Sequence, residues 1–249
     1  MAKFTLKGVR LFSGGVDLTS NTNKVELKAE IEEKDVTAFS VTSTTEVWNQ
    51  VIGGLATTTA DAEGQWEAGD ASKVDDALWA ARGGLGPLTI CPAGATDGAL
   101  AWLTKSLSGS YALGGQVGDV APWSASWAGS WPLSRGLVLH PPGTARTATG
   151  NGVVRQLGAV TSGRALYVTV HVLSAAGTTP SLTVVVESDD NAGMSSAVTR
   201  ATFTAATTAG GQSVQIVGPV TDDWWRVRWT ITGSTPSFLF VAAAGIGPA

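Results

Sequence analysis

Residues 24–32, KVELKAEIE, constrain this chain more than any other stretch. Val25, Leu27, Ala29 and Ile31 fall on every second position, with Lys24, Glu26, Lys28, Glu30 and Glu32 between them. A period of two sends successive side chains to opposite faces of a strand, so one face is apolar and the other carries five charges. A face that charged belongs in water, in a water-filled channel or against a neighbouring subunit's charges; a single folded core is a poor home for it. Val9 to Val16 form a second apolar run, and Asp17, Thr19, Ser20, Asn21 and Asn23 between the two runs are turn formers. The pattern predicts a long hairpin from Val9 to Phe39, with the Val25–Ile31 face buried.

The rest of the composition agrees with a β-rich structural protein. Of 249 residues, 43% are hydrophobic and only 14% charged, so Ser, Thr, Gly and Asn must cover much of the surface. The length suffices for one large or two ordinary domains. A net charge of -4, a pI near 5.1 and the absence of any Lys/Arg run argue against a tight, sequence-independent hold on nucleic acid. Cys91 is the sole cysteine and sits between Ile90 and Pro92, which excludes an internal disulfide and predicts a buried, inert thiol. No apolar run reaches the length of a membrane span, and MAKFTLKGVRLF lacks the apolar core of a cleaved signal. The expectation is a protein made and kept in a reducing cytoplasm until assembly or lysis.

Taken in order, residues 40–46 (SVTSTTE) read as a polar loop or arm, and 48–55 (WNQVIGGL) as a further apolar segment. A weakly alternating strand follows from Ala56 towards Gly69. The best helix signal is 73–81, KVDDALWAA, with Asp70 or Ser72 as cap, Asp75 and Asp76 favoured by the dipole of the first turn, and Gly83 and Gly84 as the stop. Residues 86–93 read as a buried strand, and 99–111 fit a strand or a short helix. Trp123, Ala125 and Trp127 alternate as a strand, which Pro122, Gly129 and Pro132 favour over a helix.

The composition changes across residues 140–152, HPPGTARTATGNG. All seven lysines precede this segment and all six basic residues after its start are arginines, leaving about -5 on the first part and +1 on the second. A domain boundary is placed between residues 143 and 144. Beyond it, short apolar segments are separated by AAGTTP, SDDNAG, ATTAGGQ, TDD and TGSTP. That punctuation predicts an antiparallel β-sandwich.

Catalytic groups are scarce. The two histidines, His140 beside Pro-Pro and His171 within a strand, read as structural or exposed, and no phosphate-binding loop or nucleophile elbow appears. Asp189-Asp190 and Asp222-Asp223 read as turns in preference to a calcium site or paired catalytic carboxylates. Neither a cofactor nor a metal is expected. Ten tryptophans either anchor cores and subunit contacts or stack on sugars. Trp224 and Trp225 lie on opposite faces of one strand, so they and the adjacent Arg226 are candidates for contact with a neighbouring domain, subunit or ligand.

DLTS near the first turn, EKDVTAF, the GGL that closes 48–55, the helix DALWAA and the final RGLVL together resemble the major tail, or tail tube, proteins of long-tailed bacteriophages, over residues 1–143. SDDNAG and WWRVRWTITGSTPSF are similar to β-sandwich extensions of such proteins. The resemblance implies a mainly β protein: a tail-tube β-barrel or sandwich with one flanking helix, then a second antiparallel β-sandwich projecting from the tube surface. It implies hexameric rings stacked into a conduit for DNA ejection, in a virion tail assembled in the host cytoplasm. The partners would be further copies of the chain, the tape measure, tail terminator and distal tail proteins, and DNA passing without specific binding. Lys24, Glu26, Lys28, Glu30 and Glu32 would line the lumen or pair between subunits. Ser40, Thr42, Thr44 and Glu46 would reach the next ring. The alternative is a carbohydrate-binding or adhesin protein, which requires exposed tryptophan rings aligned in a groove.

Overall fold

A computed structural model describes residues 6–38 and 48–249. Among the described residues there are fourteen strands, one α-helix and one short 3-10 turn, and every pairing between these strands is antiparallel. The first part contains β1 (Arg10–Ser13), β2 (Val16–Asp17), β3 (Thr22–Asp35), β4 (Val51–Gln65), α1 (Val74–Ala81), β5 (Leu85–Cys91), β6 (Leu100–Leu113), β7 (Pro122–Gly129) and β8 (Ser134–His140). The second contains β9 (Gly150–Asn151), β10 (Arg155–Gln156), β11 (Arg164–Asp189), β12 (Val198–Thr202), β13 (Gly210–Val217) and β14 (Trp224–Pro248).

The expected long hairpin does not form. β1 turns back at once into β2, with Phe12 opposite Asp17, because Gly14 and Gly15 take φ values of 58° and 97° and close a two-residue turn. The DLTSN segment then redirects the chain: the Asp17 carboxylate accepts from the Thr19 amide at 3.1 Å, and a short 3-10 turn spans Thr19–Asn21. β3 therefore pairs with β4, Val25 opposite Ala62 and Leu27 opposite Ala60.

The helix forms where its signals stand. Asp70 closes the turn ahead of it by accepting from the Ser72 amide at 2.8 Å, while the N-cap position falls on Lys73 without a side-chain cap. Gly83, at φ 79°, follows its end. Val74 and Leu78 are buried in one core with Leu11, Leu18, Trp123 and Trp127; full burial of each aliphatic side chain contributes about 1.5–3 kcal/mol. The ambiguous 99–111 segment is strand β6, paired with β5, β7 and β8.

In the second part, AAGTTP and TGSTP are not chain reversals. β11 and β14 run through them as one continuous pair, from Arg164 opposite Pro248 to Asp189 opposite Trp224, with register shifts near Thr178 and Ser234. Each strand has a Gly-x-Thr-Pro step with positive φ at the glycine and the threonine: Gly177 (116°) and Thr179 (47°), Gly233 (119°) and Thr235 (47°). A Cβ on Gly177 would lie 2.7 Å from the Thr235 carbonyl oxygen, and one on Gly233 would lie 2.8 Å from that of Thr179. The two glycines let the strands bend against each other without separating.

Strand pairing joins the residues on either side of the 143/144 position. β8 pairs with β14, Val138 opposite Ala243, and one core cluster joins Phe12, Cys91, Leu103 and Val138 to Tyr167 and Val241. The two parts share a sheet and a seam of core. A larger cluster around Val168, Val184, Trp225, Val227 and Phe240 fills the second part and also takes in Leu139 of β8.

Candidate functional site

β3 and β4 build a surface unlike the rest. Near its start β3 is half-covered: Val25 and Leu27 pack against the core of the first part, while β4 is flanked by β7 from Thr59 (opposite Ala128) to Gln65. Past that point β4 loses its neighbour. Residues 28–38 of the β3 side and 51–57 of β4 are exposed on both faces, so the two strands leave the body as a two-stranded arm. The predicted burial of Ala29 and Ile31 is thus overturned, because no described element lies across them; Ile31 is 65% exposed, and Leu55 on β4 is 76% exposed. Val51, Ile52, Val36 and Trp48 add further exposed apolar surface on and beside the arm. A two-stranded hairpin alone in water is marginally stable, and this one presents apolar side chains with nothing to cover them.

The charged face is where the sequence places it. Lys24 stands opposite Glu63 and pairs with it at 3.0 Å, and Lys28 pairs with Glu30 at 2.7 Å. Glu32 pairs with Lys34. Glu26 stands opposite Asp61, two carboxylates at one cross-strand position. With those partners the face holds three lysines, Lys24, Lys28 and Lys34, against five carboxylates, a local charge of -2. The ion pairs are about half exposed, where water and salt screen them, so they do not account for the face by stability. Ser40, Thr42, Thr44 and Glu46 lie outside the described residues.

Trp225 is not a contact residue. It is fully buried, and its Nε1 donates to the Gly158 carbonyl at 2.9 Å, because its face of β14 is the inner one. Arg226, on the opposite face, is held by Glu187, which also takes Arg228 at 2.6 Å. Trp224 is half-buried. Among the described residues, the exposed tryptophans are Trp48, ahead of β4, Trp66, just past its end, and Trp79 on α1. They form no ring-lined groove of the kind a glycan site requires.

Both histidines are buried and held neutral by their neighbours. Gly15 N–H donates to His171 Nδ1 at 3.3 Å, so Nε2 carries the proton and donates to Thr89 Oγ1 at 2.9 Å; desolvation pushes the pKa down to about 3. Arg146 Nε donates to His140 Nε2 at 3.1 Å, so Nδ1 donates to the Phe240 carbonyl at 3.0 Å; desolvation first, then the Arg146 charge, lower its pKa to about 4. Neither imidazole faces a nucleophile in a cleft. The acidic doublets are engaged in structure: Asp189 accepts from the Ser196 amide at 2.7 Å, and Asp222 takes Ser188 Oγ at 2.7 Å and Arg200 at 2.6 Å. Burial pushes the Cys91 thiol up to about 12. The described residues include no helix long and apolar enough to cross a membrane.

The sequence reading located the charged face and missed the arm. The signal it passed over is the apolar 48–55 run, whose strand partner is the charged strand itself.

No protein-family model and no curated protein matches the sequence. Among solved structures, the chain is similar to one from the virion of a native gene transfer agent particle, at 15% identity and a TM-score of 0.41, covering 53% of this chain and 98% of that one. It is similar to a chain from the tail of an empty gene transfer agent particle with C6 symmetry, at 17% identity and a TM-score of 0.36, covering 46% and 81%. It is also similar to the Dit protein of SPP1, described as a hub adsorption apparatus of phages infecting Gram-positive bacteria, at 10% identity and a TM-score of 0.36, covering 97% and 100%. Likenesses of this depth bear on neither activity nor partners.

Proposed function

We propose that this chain is a structural subunit of a phage virion tail, polymerising as stacked hexameric rings into the tail tube through which DNA is ejected. The observation that carries the reading is the β3–β4 arm: a long antiparallel pair whose outer part meets no further described strand and whose apolar side chains are exposed, a surface that a second molecule would cover. The charged face beside it suits an aqueous lumen. At -2 it holds phosphates less than a wall rich in lysine and arginine would, so DNA passes without specific binding. Lys24, Glu26, Lys28, Glu30 and Glu32 line that lumen or pair between subunits, and Ser40, Thr42, Thr44 and Glu46 reach the adjacent ring. Residues 1–143 build the tube and 144–249 ride on its outer surface, fastened by the β8–β14 pairing. The partners are further copies of the chain, the tape measure, the tail terminator and the distal tail protein, and assembly takes place in the host cytoplasm. The role is mechanical, without an enzymatic step.

The test is negative-stain electron microscopy with light scattering over a concentration series. Hollow rings or tubes are expected for the wild type, and Ile31→Lys with Leu55→Lys is expected to abolish them while leaving the unfolding midpoint unchanged. A wild-type chain that stays monomeric throughout refutes the reading.

A further inference from the structure

A groove of about 540 Å3 opens between the start of β3 and the segment leading into β1. Its apolar lining comes from Leu11, Val25, Leu27, Ile90 and Trp102, and its charged lining is Lys7, Arg10 and Lys24, with no carboxylate among the lining residues. Two of these cations are partly engaged at home, Arg10 with Asp17 and Lys24 with Glu63. Lys7 forms no ion pair with a described carboxylate, and the buried Arg10 Nε has no hydrogen-bond partner. The groove is therefore apolar within and basic at its margin.

The arm has the opposite character. Ile31, Ile52 and Leu55 are exposed on it, among the carboxylates Glu30, Glu32, Glu33 and Asp35, with Lys28 and Lys34 as its cations. Arm and groove belong to the same strand but cannot meet within one chain. Val25 lines the groove and Glu33 lies eight residues along, about 26 Å away at the rise of an extended strand.

We propose that the groove receives the β3–β4 arm of a second copy of this chain. Apolar side chains of the incoming arm cover Val25 and Leu27, its carboxylates meet Lys7, Arg10 and Lys24, and its edge lies beside the outer edge of β3, which pairs with no other described strand. Each copy gives an arm and takes one, so the contact is heterologous and propagates from copy to copy, closing into a ring where the rotation permits. The inference rests on the reading of the arm as an assembly element and names the surface that receives it.

The experiment is a charge exchange, read as the concentration at which assembly begins. Glu33 and Lys7 have no ion pair with any described residue, so Glu33→Lys and Lys7→Glu leave the fold intact, checked by circular dichroism and unfolding midpoint. Each single variant is expected to raise the critical concentration about tenfold, and the double variant to return it to within about twofold of wild type. Independently, Glu33→Cys combined with Lys7→Cys is expected to give a ladder of disulfide-linked oligomers on mild oxidation, whereas either cysteine alone stops at dimers. Cys91 is buried and does not contribute. Wild-type assemblies with unaffected single variants, with no recovery in the double, or with no ladder would overturn the groove as the receiving site and leave the assembly reading standing. A wild-type chain that never assembles would overturn both.

Discussion

Acidification from pH 7 to pH 5 should weaken the fold by about 4 kcal/mol, through the two buried histidines. In the folded chain their pKa values are lowered to about 4 for His140 and about 3 for His171, from an ordinary 6.5. Lowered values mean that the unfolded chain binds more protons below pH 6.5, so stability falls as pH falls through that point and continues to fall until the folded values are reached. Each site contributes about 1.4 kcal/mol per pH unit in that window, so about 2 kcal/mol is lost per histidine between pH 6.5 and pH 5. The geometry explains why neither ring accommodates the proton. On His171 it would enter at Nδ1 against the Gly15 N–H, and on His140 at Nε2 against the Arg146 guanidinium. Carboxylates whose pKa values are lowered in the fold, among them Asp222 through Ser188 and Arg200, lose their contribution only at more acid pH and stay ionised at pH 5. Urea unfolding followed by tryptophan fluorescence at pH 7, 6 and 5 measures the slope, and His140→Gln or His171→Gln should each remove about half of it. Equal stability at pH 7 and pH 5, to within about 1 kcal/mol, would refute the assignment of both rings as buried and neutral.

Two neighbouring tryptophans should differ sharply. Trp225→Ala removes a fully buried ring and its hydrogen bond to Gly158 and should cost about 3–5 kcal/mol in urea unfolding, whereas Trp224→Ala, on the half-buried face, should cost about 1 kcal/mol or less. Cys91, with its thiol pushed up to about 12 by burial, should resist a thiol-reactive dye in the native protein and react fully in denaturant. Native labelling at the denatured rate would place that residue outside the core.

The identity of β3 and of α1 was written locally in the sequence. The alternation of Val25, Leu27, Ala29 and Ile31 with charges makes β3 a strand whatever surrounds it, and Val74 and Leu78 between Asp70 and Gly83 make α1 a helix. Alternation, however, names a face and not what covers it. Only the tertiary structure decided that β3 pairs with β4, that Val25 and Leu27 meet a core, and that Ile31, six residues beyond Val25 on the same face, meets none. The same limit applies to Trp224 and Trp225: the sequence put them on opposite faces, and packing chose the inner one. At Gly177 and Gly233 the composition of a turn was legible, but each bend is held by the opposing strand, 56 residues away along the chain. Local pattern fixes dihedral preference and facing, because both depend on near neighbours. Burial, partner and the uncovered arm depend on residues brought together from afar, and no short window of sequence contains them.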